Sequence, residues 1–236
     1  MNKLRLIGRP SRDREGASGS PVGPADADRS VDTSPPPASF AAGRRTNRNS
    51  SRSVLSRFAN HEYTSSMPLK PQDLLIALKL WVGRDQAWTY PLLARSLGIS
   101  VSEAHGAVKR AVAAGLLPPG GLGARPRAEA LREFLVHGAR YSFPALRGDL
   151  ARGIPTAHAA PPLKELLADA SQPPPVWPHP NGTARGPSLA PLFPSAPGAA
   201  LEDPALYELL ALFDALRAGR AREREMATRL LEERLR

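Results

Sequence analysis

Three patterns predict a mainly α chain: an apolar helix opening near Leu69, two short helices joined by a glycine turn within residues 92–117, and a long amphipathic run from Asp203 onward. Each carries apolar residues at three- and four-residue spacing, the repeat that puts them on one helical face. Between the second and third patterns lies an irregular Pro-rich region, and 66 residues of different character come before the first. The expected organisation is therefore a tail over 1–66, a helical domain over 67–150, a Pro-rich region over 151–200 and a C-terminal helix over 201–236.

The tail has few large apolar residues and mixes Ser, Pro and Gly with charge, so disorder is expected there. It reads either as a basic arm attracted to phosphates or as translated sequence upstream of a natural start at Met67. The first folded segment follows. In LKPQDLLIALKLWVG, Pro71 suits the first helical turn and Asp73 stands near its positive end. Leu74, Leu75, Leu78 and Trp81 give this helix a broad apolar face, the first of a three-helix core. Gly83-Arg84-Asp85 turns the chain, Ala87-Trp88-Thr89 reads as a short strand, and Thr89 caps the next helix with Pro91 in its first turn.

Within residues 92–117, Gly98-Ile99-Ser100 forms the turn, and Gly98 ends the first helix by taking a positive φ. Ser100 and Glu103 make a Ser-x-x-Glu capping box, and Gly115 closes the second helix. Ala104, Ala107, Val108 and Ala111 form its core stripe, joined by Leu93, Ala94 and Leu97 from the preceding helix. Ser102, His105, Gly106 and Lys109 fall on another face, with no core to serve.

This stretch resembles the helix-turn-helix of winged-helix bacterial transcriptional regulators, MarR-like in the broad sense, with Gly98 in the turn and Ala94 on the supporting helix. About fifty residues, from 68 to 117, share the resemblance. It implies a second helix, beginning at Val101, that enters the major groove of double-stranded DNA while the first spans the backbone. Ser100, Ser102 and His105 would then lie nearest the bases, Lys109 and Arg110 would face phosphates, and Arg95 and Ser96 would reach the backbone. Gly106 leaves that face bare where many such proteins carry a long polar side chain, so direct readout is expected to be sparse.

The wing expected after Leu117 is atypical. PPGGLGARPR is poor in strand formers, although Arg125 and Arg127 would serve as phosphate contacts from a flexible loop. A helix over 128–137 follows, with Leu131, Phe134 and Leu135 inward and Gly138 ending it. Residues 139–200 show no long period; residues 164–170 read as one or two helical turns and Asn181-Gly182 as a hairpin turn, demoted by its prolines. Asp203-Pro204 then starts the last helix, carried by Leu206, Leu209, Leu210, Phe213 and Leu216. Beyond Gly219 the apolar pattern thins, and this half is expected either to project and pair with a second copy, forming a homodimer, or to stand exposed.

The composition limits the chemistry. With no Cys, disulfides and thiolate catalysis are excluded. The five histidines are scattered without metal spacing, and the glycines of PGGLG lack the Lys-Ser/Thr of a phosphate loop, so no enzyme, metal or cofactor is expected. The net charge of +10 is uneven: residues 1–66 and 67–150 each hold 11 Lys/Arg against 6 Asp/Glu, whereas 151–236 hold 10 of each. The excess thus coincides with the tail and the helix-turn-helix, as a polyanion partner would require. No run is long and apolar enough for a membrane span or signal peptide, and a cytoplasmic, DNA-binding regulator is expected. Protein–protein interaction on the same scaffold is the alternative, and RNA binding through the basic tail a third possibility.

Overall fold

Local signals place the first three helices. In the computed structural model, which describes residues 68–167 and 173–236, α1 spans Pro71–Val82. Asp73 begins it by reaching back to accept a hydrogen bond from the Lys70 N–H at 2.8 Å. Helix α2 (Tyr90–Leu97) is capped by Thr89 and stopped by Gly98 at φ +62°. Helix α3 (Val101–Ala113) opens with the reciprocal Ser100–Glu103 bonds, 3.1 and 2.8 Å, and closes before Gly115 at φ +76°. The tail and its proposed start at Met67 lie outside the described residues.

Helix α1 is buried on every side rather than along one face. Leu74, Leu75, Ile76, Ala77 and Leu78 are all 0% exposed, and even Lys79 is only 9% exposed. One flank packs on α3; another packs on a helix from the far end of the chain, α8 (Pro204–Ala218). Lys79 reaches Asp203, the residue capping α8, at 2.7 Å. All the described residues fall in one compact unit, so the regions expected over 67–150 and 201–236 share a core.

Residues 87–89, between α1 and α2, pair with no strand, so the expected short strand does not form. Its natural partner would be a wing hairpin, and none is present: residues 121–123 form a 3₁₀ turn and no strand lies between 118 and 127. The helix expected over 128–137 runs further. Helix α4 (Ala128–Glu133) continues through a π-helical turn, Phe134–Gly138, into α5 (Ala139–Ser142). Gly138 keeps negative φ, so it does not reverse the chain; a side chain there would meet the Phe134 ring at 3.0 Å.

The Pro-rich region contains a small sheet. Strand β1 (Arg147–Pro155) pairs antiparallel with β2 (Val176–Pro178) and with β3 (Ala184–Leu189). Strands β2 and β3 meet in parallel at Val176 and Ser188, so the three strands close on themselves. Asn181-Gly182 therefore joins parallel strands and is not the tip of a hairpin. Closure demands close backbone approach, and a Cβ on Gly153 would lie 2.0 Å from the Trp177 carbonyl oxygen. Between β1 and β2 lie a 3₁₀ turn (Ala157–Ala159) and the short α6 (Leu163–Leu166); the rest of the turn expected over 164–170 lies partly outside the described residues.

Helix α7 (Ala196–Glu202) lies against α2 and leads into α8. Asp203 Oδ1 accepts from the Ala205 and Leu206 N–H groups, both at 3.1 Å, as the Asp-Pro start predicts. The single long C-terminal helix is in fact two. The chain breaks at Gly219 and Arg220, and α9 (Ala221–Arg234) folds back along α8. Ala227 and Leu231 are buried at four-residue spacing, Arg234 pairs with Glu208 at 2.7 Å, and the Trp81 indole donates to the Arg234 carbonyl at 3.0 Å. Of the apolar residues that suggested pairing with a second copy, Leu231 and Leu235 are buried within the chain, and Met226 and Leu230 are partly buried against its core.

Candidate functional site

The presented helix is fixed from beneath. Ala104 and Ala107 are fully buried, and so is Ala111; Val108 is nearly so, which anchors one stripe of α3 on α1. Beside that stripe, Arg110 passes into the interior and meets Asp73. Its Nε donates to Asp73 Oδ2 at 2.8 Å and its Nη2 to Oδ1 at 2.6 Å, a bidentate pair with the carboxylate fully buried. The Asp73 hydrogen bond pushes the Arg110 guanidinium above its ordinary value, so its charge is permanent. Arg110 is therefore withdrawn from the phosphate role: it locks α3 to α1.

This pair also accounts for Gly106. A Cβ at Gly106 would stand 3.3 Å from Arg110 Nη1, so the bare position leaves room for the guanidinium to turn inward. Ser96 is likewise occupied, its hydroxyl donating to the Leu93 carbonyl at 2.9 Å. Ser100 accepts the capping bond from Glu103 and stays at the exposed helix start. Glu103 in turn is held below the usual carboxylate range by the Ser100 backbone N–H and hydroxyl, so it is ionised beside the helix N-terminus.

Facing solvent along α3 are Ser102, His105 and Lys109, one turn apart, with the exposed Glu103 beside them in the first turn. The His105 ring rests 4.8 Å from the Tyr90 ring of α2, which limits its orientations. Lys109 and, on α2, Arg95 are exposed, and neither makes an ion pair with a described residue. Arg125 and Arg127 are also exposed, but Arg125 pairs with Asp85 across the preceding loop. The candidates thus divide: Ser100, Ser102, His105, Gly106 and Lys109 share α3 and its cap, whereas Arg110 and Ser96 are turned to structural use.

Two apolar residues at helix starts are also exposed. Leu92 is 37% exposed and Val101 48% exposed, apolar side chains at the starts of α2 and α3. The available signal was their face: neither falls on the Leu93–Ala94–Leu97 or the Ala104–Ala107–Val108–Ala111 stripe that the core takes up. Among the described residues, no group of three or more His, Asp or Glu is placed to hold a metal ion, and no helix is long and apolar enough to cross a membrane. No protein-family model matches the chain, and comparison with curated proteins and with solved structures gives no match.

Proposed function

We propose that this protein binds double-stranded DNA through α3 and acts as a transcriptional regulator. The observation that carries the reading is the division of α3 into a locked side and a solvent-facing Ser102–His105–Lys109 stripe that makes no ion pair with a described residue. A rigid helix with short polar side chains at its first turns fits the major groove, where hydroxyl and imidazole groups reach base edges. Lys109 and Arg95 supply phosphate contacts in place of Arg110. With no side chain at Gly106, base contacts are few, and affinity rests more on phosphates and on duplex shape.

The test is fluorescence anisotropy with duplex DNA of mixed sequence at several salt concentrations. Lys109→Ala will weaken binding to every duplex and lower the slope of log K against log salt by about 0.9, the loss of one phosphate contact. His105→Ala will leave that slope unchanged and alter preference at one or two base pairs. If Lys109→Ala and Arg95→Ala together change nothing, DNA does not bind at α3. A protein partner is the second reading, favoured by the exposure of Leu92 and Val101. Under it, Leu92→Ser would abolish partner capture while Lys109→Ala would not.

A further inference from the structure

Away from α3, the sheet and the break between α8 and α9 enclose a cavity of about 560 Å³. That size lies within the range of small-molecule sites. The floor is apolar: Ala157 and Leu189 are 2% and 1% exposed, with Leu167, Pro175 and Pro187 completing it. The rim is cationic, carrying Arg147, Arg220 and Arg222.

Among the described residues lining the cavity, Glu223 is the one carboxylate, and it is already engaged. Glu223 Oε2 already accepts from the Arg220 backbone N–H at 3.0 Å and lies 3.6 Å from His158 Nδ1. Arg147 is aimed rather than loose, its Nη2 donating to the Ala218 carbonyl at 2.5 Å while other N–H groups of the fork remain. Arg222 is exposed and makes no ion pair with a described residue. An apolar floor beneath guanidinium groups matches a ligand with one greasy end and one anionic end.

We propose that this cavity binds a small organic anion, a carboxylate carried on an apolar body of alkyl or aryl type. The carboxylate meets Arg147 and Arg222, and the body lies against Leu189 and Pro175. Such a ligand would bridge the sheet and the α8–α9 junction, independently of whatever α3 contacts.

Calorimetric titration of the full chain with decanoate, decan-1-ol and inorganic phosphate tests this. Decanoate is expected to bind at one saturable site, about tenfold or more tighter than decan-1-ol, the worth of a charge-assisted hydrogen bond. Phosphate, lacking an apolar body, is expected to bind far more weakly than decanoate. Arg222→Ala will weaken decanoate about tenfold and leave decan-1-ol unchanged, by the same charge-assisted bond. Arg147→Lys, which keeps charge but loses the fork, will weaken it less. Equal affinity for decanoate and decan-1-ol, equal affinity for phosphate and decanoate, indifference of decanoate to Arg222→Ala, or no saturable binding would each overturn the proposal.

Discussion

Asp73 and Asp214 are both removed from solvent, at 0% and 1% exposure, yet one leans on a single guanidinium and the other on three separate side chains. Asp73 offers both oxygens to Arg110, and among the described residues the Lys70 N–H is its one further donor. Asp214 Oδ2 accepts from the Thr156 hydroxyl at 2.7 Å and the Trp177 indole at 2.6 Å, while Oδ1 accepts from Arg217 at 2.8 Å. Those donors come from the end of β1, from β2 and from α8 itself. The first arrangement ties two helices by one charged pair, so losing either partner strands the other charge in the core. The second spreads the load over three elements, so losing one donor leaves two. The charged tie between α3 and α1 is thus a single pair beside their apolar contact, whereas the sheet is docked on α8 by two separate donors.

The largest effect is expected where a charge is stranded. Asp73→Ala leaves Arg110 buried and uncompensated, and urea unfolding should show a loss of about 3–5 kcal/mol. Adding Arg110→Met should recover most of that, since a buried ion pair replaced by apolar groups is close to neutral. If Asp73→Ala alone has no measurable effect, the pair does not hold α3.

Asp214→Asn should do less, about 1–3 kcal/mol, because the amide oxygen still accepts from neighbouring donors and the buried Arg217 guanidinium keeps its bond to the Ala190 carbonyl. It should also remove a pH dependence. Burial pushes the Asp214 carboxyl upward, and Arg217, Thr156 and Trp177 offset that only in part. The folded chain thus takes up this proton at higher pH than the unfolded chain. The carboxyl's contribution is fullest below the ordinary carboxylate value and declines as pH rises to the raised one. Comparing unfolding of the wild type and Asp214→Asn across that window should reveal a difference that shrinks as pH rises, the wild type losing stability relative to the variant.

The smallest effect belongs to Tyr207, whose hydroxyl donates to the Pro155 carbonyl at 2.6 Å while its ring lies 5.7 Å from that of Trp177. Tyr207→Phe should lose about 1 kcal/mol, one neutral hydrogen bond. Burial raises the Tyr207 phenol to about 12, so the folded chain holds the proton after the unfolded chain has released it. The stability linked to this proton is complete below the ordinary tyrosine value and drains away as pH climbs toward 12. Wild type and Tyr207→Phe should accordingly converge in alkaline melts.

What was legible in the sequence was local. The Ser100–Glu103 box, Gly98 and Gly115 at positive φ, and the Asp203 cap each involve residues within a few positions of one another. Arg110 was misread because its partner lies 37 residues away, and a basic residue near a helix end looks the same whether it turns outward or inward. The sheet was missed because its strands are held by backbone approach at Gly153, Gly182 and Gly186, residues that weaken any strand pattern. The fold-back at Gly219 was hidden for a similar reason: one glycine does not announce a break, and Ala227 and Leu231 become a buried stripe only once α8 lies beside them.

The all-round burial of α1 bears on how this chain can be cut. A fragment containing only α1 to α5 would bare the flank that α8 covers, and one lacking α1 would leave α8 with no floor. Neither half is a portable module. Grafting the α2–α3 pair onto another protein would require carrying α8 as well, and trimming the chain after Gly219 would expose Trp81 at the end of the same helix that braces α3.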